Sequence, residues 1–320
     1  MEAVYGQPQD IGSWMHLVRS VSDNFPGLET EDALKDHENT VLKFMGKDQA
    51  ICVKQDDRIC GVLLFSRNRN MICCLAVDPE YRKQGIASLL LTKALAELDP
   101  EREVTVSTFR EGDAKGTAPR ALYKKFGFYE GELTEEFGYP NQVFFRPARM
   151  DIVHYYFPGT DPWKNIMNLP EKEAFAKAED LAKAHPDESS FGRFADFPNY
   201  YPTRKETDQY VHDRFVEKGG KPELQHPFSF TLLECEYLRK WFSEGEKLVL
   251  DLEDIPDDQF SCTIGDSCAQ YGWGDRPEVL TKTELFQKIH SSGGSVEALM
   301  KEYQGKFAYV EVHVWKRIEQ

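Results

Sequence analysis

Arg82, Gly85 and Ala87 stand at a spacing that suits the binding of a pyrophosphate. An apolar run, Met71–Val77, ends in Asp78-Pro79-Glu80-Tyr81, and an apolar helix pattern follows from Ile86 through Leu89, Leu90, Ala94 and Leu95. A strand therefore delivers the chain to a turn, and the turn opens a helix. At Gly85 no side chain keeps a ligand from the backbone. The first turn of the helix then offers unpaired N–H groups and the positive end of its dipole to an anion.

Val77, Pro79, Arg82, Gly85 and Ala87 together resemble the acetyl-CoA signature of the GNAT family of N-acetyltransferases, Arg/Gln-x-x-Gly-x-Gly/Ala after a Val-x-Pro strand end. The resemblance implies acetyl-CoA as co-substrate. Arg82, Lys83, Gln84, Gly85, Ile86, Ala87 and Ser88 would surround its pyrophosphate, while Leu75, Ala76 and Val77 would pair through their main chain with the pantetheine arm. A main-chain N–H of that strand would polarise the thioester oxygen. Within Leu122-Tyr123-x-x-x-Gly127-Phe128 the family often places a tyrosine near the cofactor sulfur, which makes Tyr123 the expected general acid. The residues alone also allow Tyr123, Phe126 and Phe128 to be an aromatic wall between helix and strand. No carboxylate lies on Met71–Val77, so no general base is assigned. Glu29, Glu31 and Glu136 border the expected acceptor cleft, Asp78 and Glu80 suit turn formation, and proton loss to water is an equal alternative. Arg120, Lys124 and Lys125 read as a charged helix face that could also meet phosphates.

The elements that must carry these groups follow from periodicity. Ile11, Trp14, Met15, Val18 and Val21 form a helical stripe, and Thr30 with Glu31 and Asp32 starts a second helix. A hairpin at Ala50–Lys54 and Gly61–Ser66 leads to the signature strand, and Val104–Phe109 is a further strand. The order helix, helix, hairpin, strand, helix, strand, helix, strand is that of the GNAT fold, α/β with a mixed, mostly antiparallel central sheet. Arg146-Pro147-Ala148-Arg149 marks a boundary, giving a domain over 1–147 and a second, unrecognised α+β domain over 148–320.

In the second domain helices are expected at Pro170–Ala184 and Thr203–Lys218, and near Tyr237–Phe242, Thr281–Ile289 and Val296–Tyr303. Strands are expected at Ile152–Phe157, Phe228–Leu233, Lys247–Leu252 and Phe307–Val314. Its chemically capable residues, His154, Arg204, Glu206, His226, Asp266 and His313, read as scattered. Thr263–Gly274, rich in small, polar and aromatic residues, reads as a loop that could border a ligand.

A net charge of −15 argues against nucleic acid as a standing partner and suits a cationic acceptor, a small-molecule or peptide amine. Neither an apolar run of about 20 residues nor a secretory signal is seen, so no membrane partner and a cytoplasmic location are expected. Seven cysteines without a Cys-x-x-Cys pair suit buried thiols rather than a metal site; Cys73 and Cys74 leave an acyl-cysteine route formally open. Dimers are common in the family, so a homodimer is open. The competing reading is a non-catalytic acyl-CoA-binding or interaction protein whose C-terminal domain carries the function.

Overall fold

The computed structural model describes residues 1–243, 245–303 and 305–319. Their contacts divide the chain into two compact units, Met1–Ala148 and Arg149–Gln320.

The first unit runs β1 (Ala3–Tyr5), α1 (Ile11–Ser20), α2 (Glu31–Met45), β2 (Ala50–Gln55), β3 (Arg58–Ser66), β4 (Met71–Val77), α3 (Ile86–Leu95), β5 (Val104–Phe109), α4 (Thr117–Lys125), β6 (Tyr129–Glu136) and β7 (Tyr139–Arg146). Seven strands form one sheet in the order β1-β2-β3-β4-β5-β7-β6. All pairs are antiparallel except β4 with β5, the mixed, mostly antiparallel sheet expected. Two cores flank it. Trp14, Met15 and Val18 of α1 and Leu34, Val41 and Met45 of α2 fill one side; Ile86, Leu90 and Ala94 of α3 and Tyr123 of α4 fill the other. The Thr30 hydroxyl caps α2 by accepting from Ala33 N–H at 3.1 Å. Gly61 of β3 lies directly under α3, where a Cβ would stand 2.5 Å from Ile86 Cγ2, so only glycine allows that approach.

Two strands exceed the expectation. β1 has three residues, too few to show alternation. The single strand expected after α4 is the hairpin β6–β7, because β6 is an edge strand rich in exposed acids and lacks an apolar face.

The second unit runs β8 (Asp151–Tyr156), α5 (Glu171–Ala184), α6 (Gly192–Ala195), α7 (Phe197–Glu217), β9 (Phe228–Leu232), α8 (Glu236–Trp241), β10 (Glu246–Asp251), β11 (Phe260–Ile264), α9 (Ser267–Gly272), α10 (Lys282–Ser291), α11 (Val296–Glu302) and β12 (Val310–Val314). Its five strands form an antiparallel sheet in the order β10-β8-β9-β12-β11. Three boundaries differ from expectation. α7 begins at Phe197 rather than Thr203, because Pro198 falls in its first turn, where no N–H is missed, and Pro202 is tolerated inside. The final strand starts at Val310. Thr263–Gly274 is not a loop: Asp266 accepts from Ala269 N–H at 2.7 Å and caps α9. No described helix is long and apolar enough to cross a membrane.

Asn70, fully buried at a left-handed φ of 51°, holds the turn before β4 to the loop before β5. Its amide nitrogen donates to the Asp99, Arg102 and Glu103 carbonyls, and its oxygen accepts from Asp99 N–H. Asn70→Ala strands those groups and should lower stability by about 2–4 kcal/mol. Urea unfolding checks this as a lower midpoint with an unchanged slope.

Candidate functional site

β4 is fully paired on one edge only. Against β3 it matches Gly61 with Val77, Val62 with Ala76, Leu63 with Leu75 and Leu64 with Cys74, then shifts register between Leu64 and Phe65. Against β5 it matches only Met71 with Thr105 and Ile72 with Val106. The shift leaves Cys73 as the extra residue of a bulge, and a bulge bends its strand. Beyond Ile72 the two parallel strands therefore diverge, and the β5-facing main-chain groups of Cys73–Val77 are left outside the sheet. Side chains alternate across the strand: Leu75 and Val77 pack on the α3 side, Cys74 and Ala76 on the α1 side. What Leu75, Ala76 and Val77 can offer a ligand is thus their backbone.

A rigid corner follows. Asp78, 5% exposed, accepts from Glu80 N–H at 3.0 Å and pairs with Arg58 at 2.7 Å. The Arg58 guanidinium also lies over the Tyr81 ring at 5.2 Å. Asp78 and Glu80 are thereby occupied in shaping the turn, and Arg58, which the sequence did not single out, is the residue that ties it down. Arg82 Nε turns back to the Val77 carbonyl at 3.4 Å. Lys83 and Gly85 take left-handed φ values of 62° and 81°. A Cβ at Gly85 would meet nothing within 4 Å, so glycine serves the backbone conformation and leaves open space before it. No side chain caps α3, which leaves the N–H groups of its first turn available. Arg82, Lys83, Gln84 and Gly85 are exposed, Ala87 and Ser88 half-buried. Within 82–88 Ile86 is the exception, since its side chain sits in the core and only its N–H can face a ligand.

Tyr123 lies in the core on the α3 side, 5.5 Å from the Phe128 ring and 6.3 Å from Phe144. It is part of an aromatic wall, yet its hydroxyl bonds no described residue. Burial pushes the phenol well above its ordinary value, and the Cys74 thiol pushes the same way. Such a phenol keeps its proton at neutral pH, so its hydroxyl is a donor there and not a phenolate. Arg120 is not part of an exposed charged face: it is buried, bonded to the Phe109 carbonyl, Gln142 and Glu130, and stacked on Phe144. Lys124 pairs with Glu130 at 2.6 Å, while Lys125 is exposed.

Because β4 and β5 run parallel, the loop after β5 lies at the diverging end, and so does the β6–β7 turn, which follows from the pairing of Phe109 with Asn141. Both meet the α1–α2 segment there. Lys115 Nζ donates to the Asp23 carbonyl, and Phe137, with a left-handed φ of 52°, lies against Gly27. Tyr139 closes the group by donating to Asp113 at 2.5 Å. The three acids considered as bases sit on this rim, each engaged: Glu29 accepts from Gly27 N–H, Glu31 binds Arg19 through both oxygens, and Glu136 accepts from Asn141. Arg19, Asp23, Leu28, Glu29, Glu31 and Leu34 line a depression of about 370 Å³.

Burial pushes the Cys74 thiol up to about 12, and partial desolvation raises the exposed Cys73 thiol as well, which disfavours the thiolate at both. In the second unit, four residues read as scattered are in fact close neighbours. Arg204 and His226 both bind Asp208, and Asp266 and His313 flank Glu311. Sequence reading missed Asp208 and Glu311, although Asp208 follows Arg204 by one helical turn and Glu311 shares a strand face with His313. Glu206 is exposed, and His154 lies on the other face of that sheet against Phe230.

Residues 47–130 match the family model described as an acetyltransferase (GNAT) domain. Among solved structures the chain is similar to a GNAT-family acetyltransferase from Bacillus cereus, at 20% identity over 45% of this chain and 94% of that one, TM-score 0.36. An N-acetyltransferase from Staphylococcus aureus is 17% identical over 45% and 100%, TM-score 0.38. The PaiA N-acetyltransferase from Thermoplasma acidophilum, in complex with coenzyme A, is 16% identical over 45% and 97%, TM-score 0.36. No curated protein matches.

The raised Cys73 value has a kinetic consequence. Its side chain is exposed, so solvent reduces the shift, but at pH 7.5 its thiolate fraction still lies below that of an ordinary thiol, partly offset by higher intrinsic reactivity. Alkylation of native protein by iodoacetamide, followed by mass spectrometry, should be roughly tenfold slower at Cys73 than for a model thiol and should accelerate up to pH 10. A fast, pH-independent reaction would reopen the acyl-cysteine route.

Proposed function

We propose that this GNAT acetyltransferase domain moves an acetyl group from acetyl-CoA directly to a primary amine, with a small cationic molecule or peptide as acceptor. The observation that carries the reading is the divergence of β4 from β5, which ends at the uncapped N-terminus of α3 behind Gly85. One continuous path then offers unpaired main-chain groups to the amide-bearing pantetheine and N–H groups to the pyrophosphate. Arg82 and Lys83 add charge at the phosphate end.

In the reaction, the neutral amine nitrogen attacks the thioester carbonyl carbon. The carbonyl oxygen gains charge, met by a main-chain N–H of β4. The C–S bond then breaks, and Tyr123 gives its proton to the leaving thiolate and regains one from solvent, while the nitrogen of the amide product loses its proton to water. The acids Asp23, Glu29, Glu31 and Glu136 around the mouth favour an acceptor that arrives as a cation. All seven cysteines are free, in keeping with a reducing cytoplasm.

A non-catalytic acyl-CoA-binding role is the second reading, favoured by the lack of any carboxylate on β4. Calorimetric titration with acetyl-CoA, followed by an amine panel scored by thiol release, decides between them. The parent chain should bind acetyl-CoA, and Gly85→Glu should lose that binding. Tyr123→Phe should keep the cofactor affinity while turnover falls by about 10²–10⁴-fold. Binding without thiol release on any amine would favour the non-catalytic role. A folded parent chain that binds no acetyl-CoA would end the transferase reading.

A further inference from the structure

Across β9, β12 and β11 the sheet of the second unit has one apolar face and one polar face. On β12, Val310, Val312 and Val314 alternate with Glu311 and His313. Pairing sets Thr231 and Thr263 beside Glu311, and Ser229 and Ser261 beside His313. Such a face belongs in water. Here it is covered instead: Glu311 is 4% exposed and His313 1%. α7 brings Arg204 and Asp208 to it, and the N-terminal turn of α9 brings Asp266, Ser267 and Cys268 beside Glu311.

Most of the buried charge is internally matched, as burial demands. Asp208 accepts from Arg204 Nε at 2.8 Å and bonds His226 at 2.7 Å. Ser267 N–H donates to Glu311 Oε2 at 2.7 Å, Tyr309 donates to Asp266 at 3.0 Å, and Ser261 holds His313 Nδ1 at 3.2 Å. Four atoms are left over. Arg204 Nη1 stands 4.0 Å from Glu311 Oε1, beyond hydrogen-bond reach, and neither atom bonds another described residue. Ser267 Oγ and His313 Nε2 are buried without a partner, the latter 3.5 Å from Glu311 Oε2. Arg204, Tyr200, Ser229, Asp266 and Cys268 are only partly covered, so the group reaches the surface.

We propose that this centre binds a small zwitterion of the amino-acid class, its carboxylate on Arg204 and its ammonium on Glu311. The side-by-side cation and anion select that chemistry. A simple anion would meet Glu311 beside Arg204, and a simple cation would meet Arg204 beside Glu311, whereas a zwitterion satisfies both. Arg204 keeps Nη1 unbonded and Nη2 committed only to Ser229 at 3.2 Å, which leaves its fork open to a carboxylate. Burial works against ionising Glu311, but His313, Arg204 and the Ser267 N–H hold its carboxyl far below the usual range, so it remains an anion. His313 Nε2 stands 3.5 Å from the same carboxylate and Ser267 Oγ belongs to the residue whose N–H holds it, so both bring further polar atoms to the group. This inference does not depend on the acetyltransferase reading.

The test uses the full chain and the twenty free amino acids, screened by thermal shift and then by calorimetry. At least one should bind, and its N-acetyl and methyl-ester forms, each lacking one charge, should bind at least tenfold more weakly. Arg204→Lys and Glu311→Gln should each weaken binding by a similar factor. Hydrogen exchange on the parent chain, which needs no variant to fold, should show ligand protection in 200–208, 263–272 and 310–314. No binding by any amino acid, equal binding of the blocked forms, or protection confined to the acceptor mouth of the first unit would each overturn the proposal.

Discussion

Two parallel strands that stay paired for only two residues govern the first unit. Once β4 is bent by its extra residue, Cys73, it cannot follow β5, and every later placement inherits that divergence. The cleft is not a cavity scooped from the core. It is a stretch of sheet left unfinished, with main-chain groups of β4 that β5 does not pair. Asn70 anchors the paired end by tying together the two loops that lead into these strands, and the Asp78–Arg58 pair fixes the chain where it leaves β4. The divergent segment is thus held at both ends.

Much of this was legible in the sequence because local rules decide it. An apolar run, a turn with Pro79 and a glycine ahead of an apolar helix leave few alternatives for 71–95, and the structure follows them residue for residue. What the sequence hid depends on tertiary context. β1 is too short to carry a pattern, and β6 is an edge strand whose acids conceal it. The interior role of Arg120 shows only once Glu130 and Gln142 are beside it, since an arginine in a helix reads as surface. Ile86 sits within the signature, yet its side chain serves the core. Arg58 carries no motif at all, and its value comes from meeting Asp78 across the β3–β4 pair.

In the second unit the hidden information was of a different kind. Alternation along 310–314 is visible, and it correctly gives a strand. It does not say that the polar side of the strand is roofed by helices. The fold encloses Glu311 and His313 with Arg204 and Asp208. A buried layer of ions is costly relative to an apolar one, so its members carry more constraint than their spacing reveals. The residues that seemed unrelated are joined by the return of β12 between β9 and β11, beneath α7 and α9.

Gly61 touches no proposed ligand, yet it sets a dimension of the first unit. With hydrogen in place of a methyl group, α3 beds on the sheet to a depth that Ile86 and Leu90 define. The missing carbon acts as a shim removed from under the helix. Its thickness sets how high the amides at the head of α3 ride above β4, and hence the span between the two ends of any molecule that touches both. The length of that span is written in a strand that the molecule never meets.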